Sequence, residues 1–253
     1  MNIKPSTDLM LETKLATEVA KKAGIFLKKE SKMLNKELVS SGKDIKLKAD
    51  IQSEKLITDL LTERSSYPIL GEESGKSHKN LQSTFWVVDP LDGTANYSRN
   101  LPLCGVSIAL IKDDVPILGV IYDFNNEILY KGSIHEKATA NNEIISVSNR
   151  SSKKESILVT GLPVAGGFDN QTLRKFFDNC FGWGDVRLIG SAVIASIYVA
   201  SGRAECYEEK GIFLWDIAAG YAIVNAAGGT SIISNSRENF QVDIVFTNGK
   251  QFN

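Results

Sequence analysis

The stretch Trp86-Val87-Val88-Asp89-Pro90-Leu91-Asp92-Gly93-Thr94 decides how the rest of the chain is read. Its first part is apolar and β-prone. Pro90 cannot donate to a sheet ladder, so the strand is expected to end at Asp89. The chain then turns to present Asp92 before Gly93 opens a helix or tight turn. Two carboxylates thus emerge together at a strand end, beside amides at Gly93 and Thr94 that suit a phosphate. By themselves, aspartates flanking a proline are more often a solvated turn than a metal site.

On the N-terminal side, Ser6 or Thr7 can cap a helix running to about residue 34, with Leu11, Leu15, Val19, Ala23 and Phe26 on one face. The polar segment Ser40-Ser41-Gly42-Lys43 separates it from a second helix, about 51–63, whose Leu56, Ile57, Leu60 and Leu61 should face inward, with Asp50 at its start. Tyr67-Pro68-Ile69-Leu70 reads as a strand that delivers Gly71-Glu72-Glu73-Ser74 at its end. Beyond the central stretch, Val106–Ile111, Ile117–Tyr122 and Ile128–Tyr130 are further strand candidates. The polar residues Glu136 to Asn142 read as a hinge. They divide the chain into an N-terminal α+β half, 1–140, and a C-terminal α/β half, 141–253. In the second half Ile157-Leu158-Val159 reads as a strand, Gln171 to Asn179 as a helix and Ser191 to Ala200 as a buried helix. Asp216 to Ala227 is a helix closed by Gly228-Gly229. Asp216, after the bulky Trp215, is first of all an N-cap candidate, and Asp50 has the same explanation.

Composition narrows the function classes. The chain has 253 residues, 43% hydrophobic and 23% charged, which is ordinary for a globular protein of one large or two closely packed domains. A net charge of −1 argues against nucleic-acid binding by bulk attraction. Cys104, Cys180 and Cys206 are odd in number and far apart, as expected for reduced thiols in a cytoplasm. The N-terminus shows no secretory pattern, and no apolar run is long enough to span a bilayer. His78 and His135, the two histidines, lie outside every motif and read as surface residues.

Taken together, Glu72 in Gly-Glu-Glu-Ser, the Asp89-Pro90-Leu91-Asp92-Gly93-Thr94 core with Asn96-Tyr97, and Trp215-Asp216 before Ala218-Ala219-Gly220 resemble the paired signatures of the inositol monophosphatase family. That family belongs to the magnesium-dependent, lithium-sensitive phosphatases. The similarity covers roughly residues 8 to 232, and order and spacing agree with the motifs. It implies a layered αβαβα sandwich of α+β and α/β character, like that of fructose-1,6-bisphosphatase. It also implies a homodimer and a small phosphorylated polyol or sugar as substrate.

By the same resemblance Glu72, Asp89 and the Leu91 carbonyl should hold one magnesium ion, and Asp89, Asp92 and Asp216 a second. A weaker third ion would touch Glu72. Thr94, oriented by Asp50, should assist the attacking water. Gly93, Thr94 and the loop Gly190-Ser191-Ala192 should lie beside the substrate. Glu209 matches an acceptor of substrate hydroxyls, or is simply a charged loop residue. The loop beginning Arg187-Leu188-Ile189 is accounted for almost as well by a structural helix start. Magnesium suits the set, since it takes hard oxygen ligands and substrate phosphate together.

Three departures from the family pattern stand out. Leu47 and Val39 fall at or near positions where a threonine and a mobile-loop lysine are usual, with Lys43 a candidate substitute for the lysine, which puts the third metal site in doubt. The glycine-rich turn after the central strands is replaced by His135–Asn142, where asparagines can supply left-handed geometry. The family's usual final helix is expected to be absent or very short, since the sequence stops at Asn253 soon after Val245-Phe246-Thr247-Asn248. Among relatives in chemistry, a 3′(2′),5′-bisphosphate nucleotidase is disfavoured, because Ala95-Asn96-Tyr97 stands where Lys-Glu-Phe is usual. Histidinol phosphate and fructose bisphosphate phosphatases share the core. A catalytically idle member serving as a regulatory binding protein would be marked by a lost ligand, and none is lost.

Overall fold

A computed structural model describes residues 7–34, 37–41, 44–76, 81–162 and 169–252, with backbone alone for 7–8, 37–41 and 44–47. Lys43, Ser6 and His78 lie outside the described residues, as do the side chains of Val39 and Leu47. The elements run α1 (Thr7–Leu34), β1 (Glu37–Ser41), β2 (Asp44–Leu47), α2 (Lys48–Thr62), β3 (Ile69–Gly71), β4 (Gly75–Lys76), β5 (Thr84–Asp92) and α3 (Thr94–Ser98). Next come β6 (Gly105–Lys112), β7 (Val115–Asp123), β8 (Ile128–Ser133), β9 (Thr139–Ala140), β10 (Glu143–Ile144) and β11 (Ile157–Thr160). The chain finishes with α4 (Asn170–Cys180), β12 (Asp185–Arg187), α5 (Ala192–Ala200), β13 (Cys206–Phe213), α6 (Leu214–Ala226), β14 (Thr230–Ser234) and β15 (Gln241–Thr247).

Two sheets organise the molecule. The larger has eight strands in the order β10-β9-β8-β7-β6-β5-β3-β4, an antiparallel meander to which β3 adds in parallel beside β5. The smaller has five, β12-β11-β13-β15-β14, in which β11 runs parallel to both neighbours and β15 antiparallel to both of its own. β1 and β2 form a separate hairpin.

Alternation along the strands sends side chains to two cores. Trp86, Val88, Ile108, Leu110 and Val120 pack with α1 and α2 on one face of the large sheet. Phe85, Val87, Ala109 and Ile121 on the other face meet α5 and α6, whose far side covers Val159, Tyr207, Ile244 and Phe246 of the small sheet. On the outside of that sheet α4 buries none of its residues and touches β13 through an Asn179–Glu208 hydrogen bond. The order is therefore αβαβα. α5 and α6 are apolar all round because they are sandwiched between sheets.

Local expectations are corrected in several places. Leu11 is 62% exposed, because the buried stripe of α1 runs instead through Leu15, Ala16, Val19, Ala20, Ala23 and Leu27. The buried face of α2 is polar in its first half, with Asp50, Ser53 and Glu54 preceding Ile57 and Leu61. Glu136 to Asn142 is not a free hinge. Ala138 is buried with its N–H on the Ala226 carbonyl at 3.2 Å, and Asn141 and Asn142 take φ of 48° and 72° to turn the edge hairpin β9–β10. The large sheet thus extends to Ile144, and the small one begins at Ile157. No helix among the described residues is long and apolar enough to cross a membrane.

Candidate metal and phosphate site

The parallel pairing of β3 with β5, Gly71 opposite Val88, brings two strand ends side by side. Glu72 follows one and Asp89 lies on the other. β5 does not stop at Asp89 as expected. Its pairing with β6 jumps from Asp89–Ser107 to Asp92–Gly105, a bulge that accommodates Pro90 without a missing ladder bond. The bulge is pinned from within by the Leu91 N–H on Asp89 Oδ1 at 3.0 Å. Gly93 then takes φ 82°, and a Cβ there would sit 2.6 Å from the Leu103 carbonyl oxygen, so the turn admits only glycine.

Asp216 arrives from the opposite sheet layer. It is not the N-cap of α6, because Phe213 takes the extended cap geometry and Asp216 stands in the first turn. From there its Oδ2 accepts the Phe213 N–H at 3.1 Å, as the acidic partner of a capping box does. A Ser107 hydroxyl donating to the Trp215 carbonyl at 3.4 Å ties this helix start to β6. Asp89, Asp92 and Asp216 each then offer an oxygen, all within 4.8 Å of one another. Glu72 stands outside that trio, exposed at the rim, yet within hydrogen-bonding reach of Asp89.

Crowding acids where water is scarce raises their affinity for protons. Loss of solvent is the largest cause throughout. With repulsion from Asp50 and Glu73 added, Glu72 is pushed up to about 8, even though part of the residue reaches solvent. Asp92 rises only to about 6, since hydrogen bonds from Ser191 and the following amides favour its ionised form. Asp89 and Asp216 lie well above the usual carboxylate range, with desolvation followed by repulsion from Glu72 and Asp92 as the causes.

Asp50 is also in a first turn rather than at a cap, and is buried. Its Oδ1 accepts the Thr94 hydroxyl at 2.9 Å, and the same hydroxyl lies 3.1 Å from the Leu91 carbonyl. The expected pair is therefore in direct contact. Of the loop Gly190-Ser191-Ala192, the Ser191 hydroxyl donates to Asp92 while accepting the Ile194 N–H to cap α5, and Val193 N–H reaches Asp92 at 2.9 Å. That loop holds a carboxylate of the cluster in addition to lining the cleft. Glu209 is not a loop residue but lies within β13, where the Tyr207 hydroxyl donates to it at 2.8 Å and burial lifts it to about 7.

Asp92, Asp216, Glu209, Gly190 and Ser191 share a cleft of approximately 520 Å³. No Lys or Arg is among its described lining residues. His135 is exposed and outside the cleft. Cys104 and Cys206 are buried and all three cysteines are free.

Sequence reasoning passed over three residues that position these groups. Asn96 was seen only as part of a motif, yet its amide donates to the Leu103 and Ile189 carbonyls, both at 2.8 Å, joining the two layers beside the site. The Ser53 hydroxyl donates to the Pro90 carbonyl at 3.0 Å, and Glu54 accepts from the turn after β3. The available signal was Asp50, Ser53 and Glu54 at helical spacing on the side of α2 continuous with Ile57 and Leu61.

The chain is similar to known proteins over most of its length. The profile described as the inositol monophosphatase family matches residues 8–247. An inositol-1-monophosphatase from Synechocystis sp. is 38% identical over 74% of this chain and 66% of its own length. A Nus factor SuhB from Xylella fastidiosa is 34% identical over 89% of this chain and 81% of its own. The solved inositol monophosphatase from Anabaena (Nostoc) sp. superposes with a TM-score of 0.81 at 33% identity, covering 96% of this chain and 92% of that one. With Asp89, Asp92 and Asp216 of two motifs gathered into one acidic cluster and a match over nearly its whole length, the chain belongs to the inositol monophosphatase family.

Proposed function

We propose that this protein is a magnesium-dependent phosphomonoesterase that hydrolyses inositol monophosphate or a related small polyol or sugar phosphate. The observation that carries the proposal is the trio Asp89, Asp92 and Asp216 within 4.8 Å, beside a Thr94–Asp50 hydrogen bond of 2.9 Å. The donor set fits the ion: hard carboxylate oxygens and a peptide carbonyl, with no soft ligand among them. Each pair of charges about 4 Å apart repels by roughly 4 kcal/mol at an effective dielectric of 20, so an uncompensated cluster calls for cations. Glu72, Asp89 and the Leu91 carbonyl would hold one ion, and Asp89, Asp92 and Asp216 a second. Bound magnesium supplies Lewis acidity toward a phosphoryl oxygen and an acidified water.

The chain's own residues do the rest. Thr94 Oγ1 donates to Asp50 and keeps a lone pair for a proton of the attacking water, so that proton can be relayed at Oγ1 to Asp50 Oδ1. Gly93 and Thr94 offer amides toward the phosphate. Glu209 accepts hydrogen bonds from substrate hydroxyls, which sets alcohol preference. Residues 1–140 supply most of the ligands, and residues 141–253 supply Asp216 and the substrate contacts. The family resemblance supports a homodimer, and the three unpaired cysteines support a cytoplasmic location.

Phosphate release from a panel of inositol, sugar and nucleotide phosphates, with magnesium or with excess chelator, tests this. Release from polyol or sugar esters with magnesium alone is expected. Preference for a nucleoside bisphosphate would move the protein to the nucleotidase reading, and silence on every ester would refute phosphatase activity. A second, non-catalytic role is favoured by one observation, the name Nus factor carried by the Xylella fastidiosa relative.

A further inference from the structure

We propose that α2 is the jig that spaces the metal site, with Glu54 as its main positioning residue; this rests on the metal-site reading above. Asp50, Ser53 and Glu54 lie at i, i+3 and i+4, so they share one face of the helix. Each grips a different segment. Asp50 accepts the Thr94 hydroxyl at 2.9 Å and Ser53 donates to the Pro90 carbonyl at 3.0 Å. Glu54, only 3% exposed, accepts the Glu73 N–H at Oε2 and the Ser74 N–H at Oε1, both at 2.8 Å.

A buried carboxylate that receives two backbone N–H groups makes charge-assisted bonds, stronger than neutral ones and demanding in direction. They fix the turn that carries Glu72. Gly71 completes the fit, since a Cβ there would lie 2.6 Å from Glu54 Oε2. β3 is only three residues long, so its own ladder is a weak constraint on where Glu72 points. The helix, by contrast, is rigid and fifteen residues long. It sets Glu72 against the Asp89–Asp92 bulge and both against Thr94. Glu54 touches neither substrate nor ion; it acts through Glu72.

Mn²⁺ serves as the probe, with free ion followed by electron paramagnetic resonance during titration of metal-stripped protein. Glu54→Gln replaces one acceptor oxygen by an amide that faces an N–H, and Gly71→Ala displaces the carboxylate while leaving its charge in place. Each should weaken Mn²⁺ binding about tenfold or more, the usual cost of losing an outer-shell partner. KM for the phosphate ester at saturating metal should change less than about twofold, as for a residue that does not meet substrate.

Circular dichroism melting of the metal-free proteins separates folding from positioning. Lowered melting temperature with wild-type Mn²⁺ affinity in the folded variants would make Glu54 merely structural and overturn the proposal. If both variants fail to fold, Ser53→Ala, which removes a single hydrogen bond, decides: weakening of about threefold is expected, and unchanged affinity overturns the jig. Wild-type protein that binds no Mn²⁺ would instead defeat the underlying metal-site reading, a distinct result.

Discussion

In the eight-stranded sheet, β6 is buried at every position from Gly105 to Ile111, whereas β14 of the five-stranded sheet alternates between exposed and partly exposed residues. The large sheet lies between two helical layers. The small one is covered by α5 and α6 on one face and by the fully unburied α4 on part of the other. The difference extends to chemistry. Asp89 and Asp92 lie at the end of β5 in the dry sheet, with Glu72 at the exposed rim beside them, while the wetter sheet contributes Glu209 from within a strand, where desolvation raises its proton affinity as well. On the proposed function, one layer would concentrate charge for cations, and the other would present a hydroxyl acceptor to whatever the phosphate is attached to.

The contrast in burial should break first under truncation. Ile108→Ala, at a position with no exposure, should cost about 2–5 kcal/mol by cavity creation, and Ile232→Ala, 53% exposed on the small sheet, no more than about 0.5 kcal/mol. Urea denaturation of both variants checks this, and equal losses would deny that the two sheets differ in how they are held.

Within the site, Asp92→Asn should reduce kcat on the order of 100-fold or more, since it removes a ligand charge. The same change relieves repulsion among acids, so the metal-free melting temperature should rise while activity falls. Calorimetry beside a phosphate assay reads both. A fall in both would mean that Asp92 is structural first.

Glu209→Ala should act on the other side of the cleft. Its expected effect is about tenfold in KM, varying with the alcohol, and little in kcat. A uniform loss on every ester would assign Glu209 to the cluster rather than to the substrate.

The same acids make stability depend on pH. Burial pushes Glu72, Glu209 and Asp92 up to about 8, 7 and 6, above the ordinary carboxylate values of about 4. Between those limits the native state holds more protons than the unfolded one, so stability falls as pH rises. The stability these acids give the metal-free protein should be full below about pH 4 and be lost progressively toward about pH 8. Magnesium should flatten the slope, and a metal-free protein that gained stability over that window would contradict the crowding of the acids.

The same burial contrast explains what could be read from sequence. β6 and β7 were legible because a strand buried on both faces is an unbroken apolar run. β13 was not: Glu208, Glu209 and Lys210 interrupt Cys206–Phe213, and the half-exposed pattern of β14 and β15 mixes serine, threonine and aspartate with isoleucine and valine. The hairpin β1–β2 was read as part of a polar segment around Ser40-Ser41-Gly42-Lys43. At the site, the acids and Thr94 were found through motif resemblance, since each alone has a capping or turn explanation. The positioning contacts of Ser53, Glu54 and Asn96 were missed because most of them depend on partners 19 to 93 residues away.

The most direct test of convergence from both layers onto one cation site is phosphate release by metal-stripped protein titrated with magnesium. No turnover without the ion, and saturable recovery as it is added, is the predicted result. Full turnover in excess chelator would contradict it.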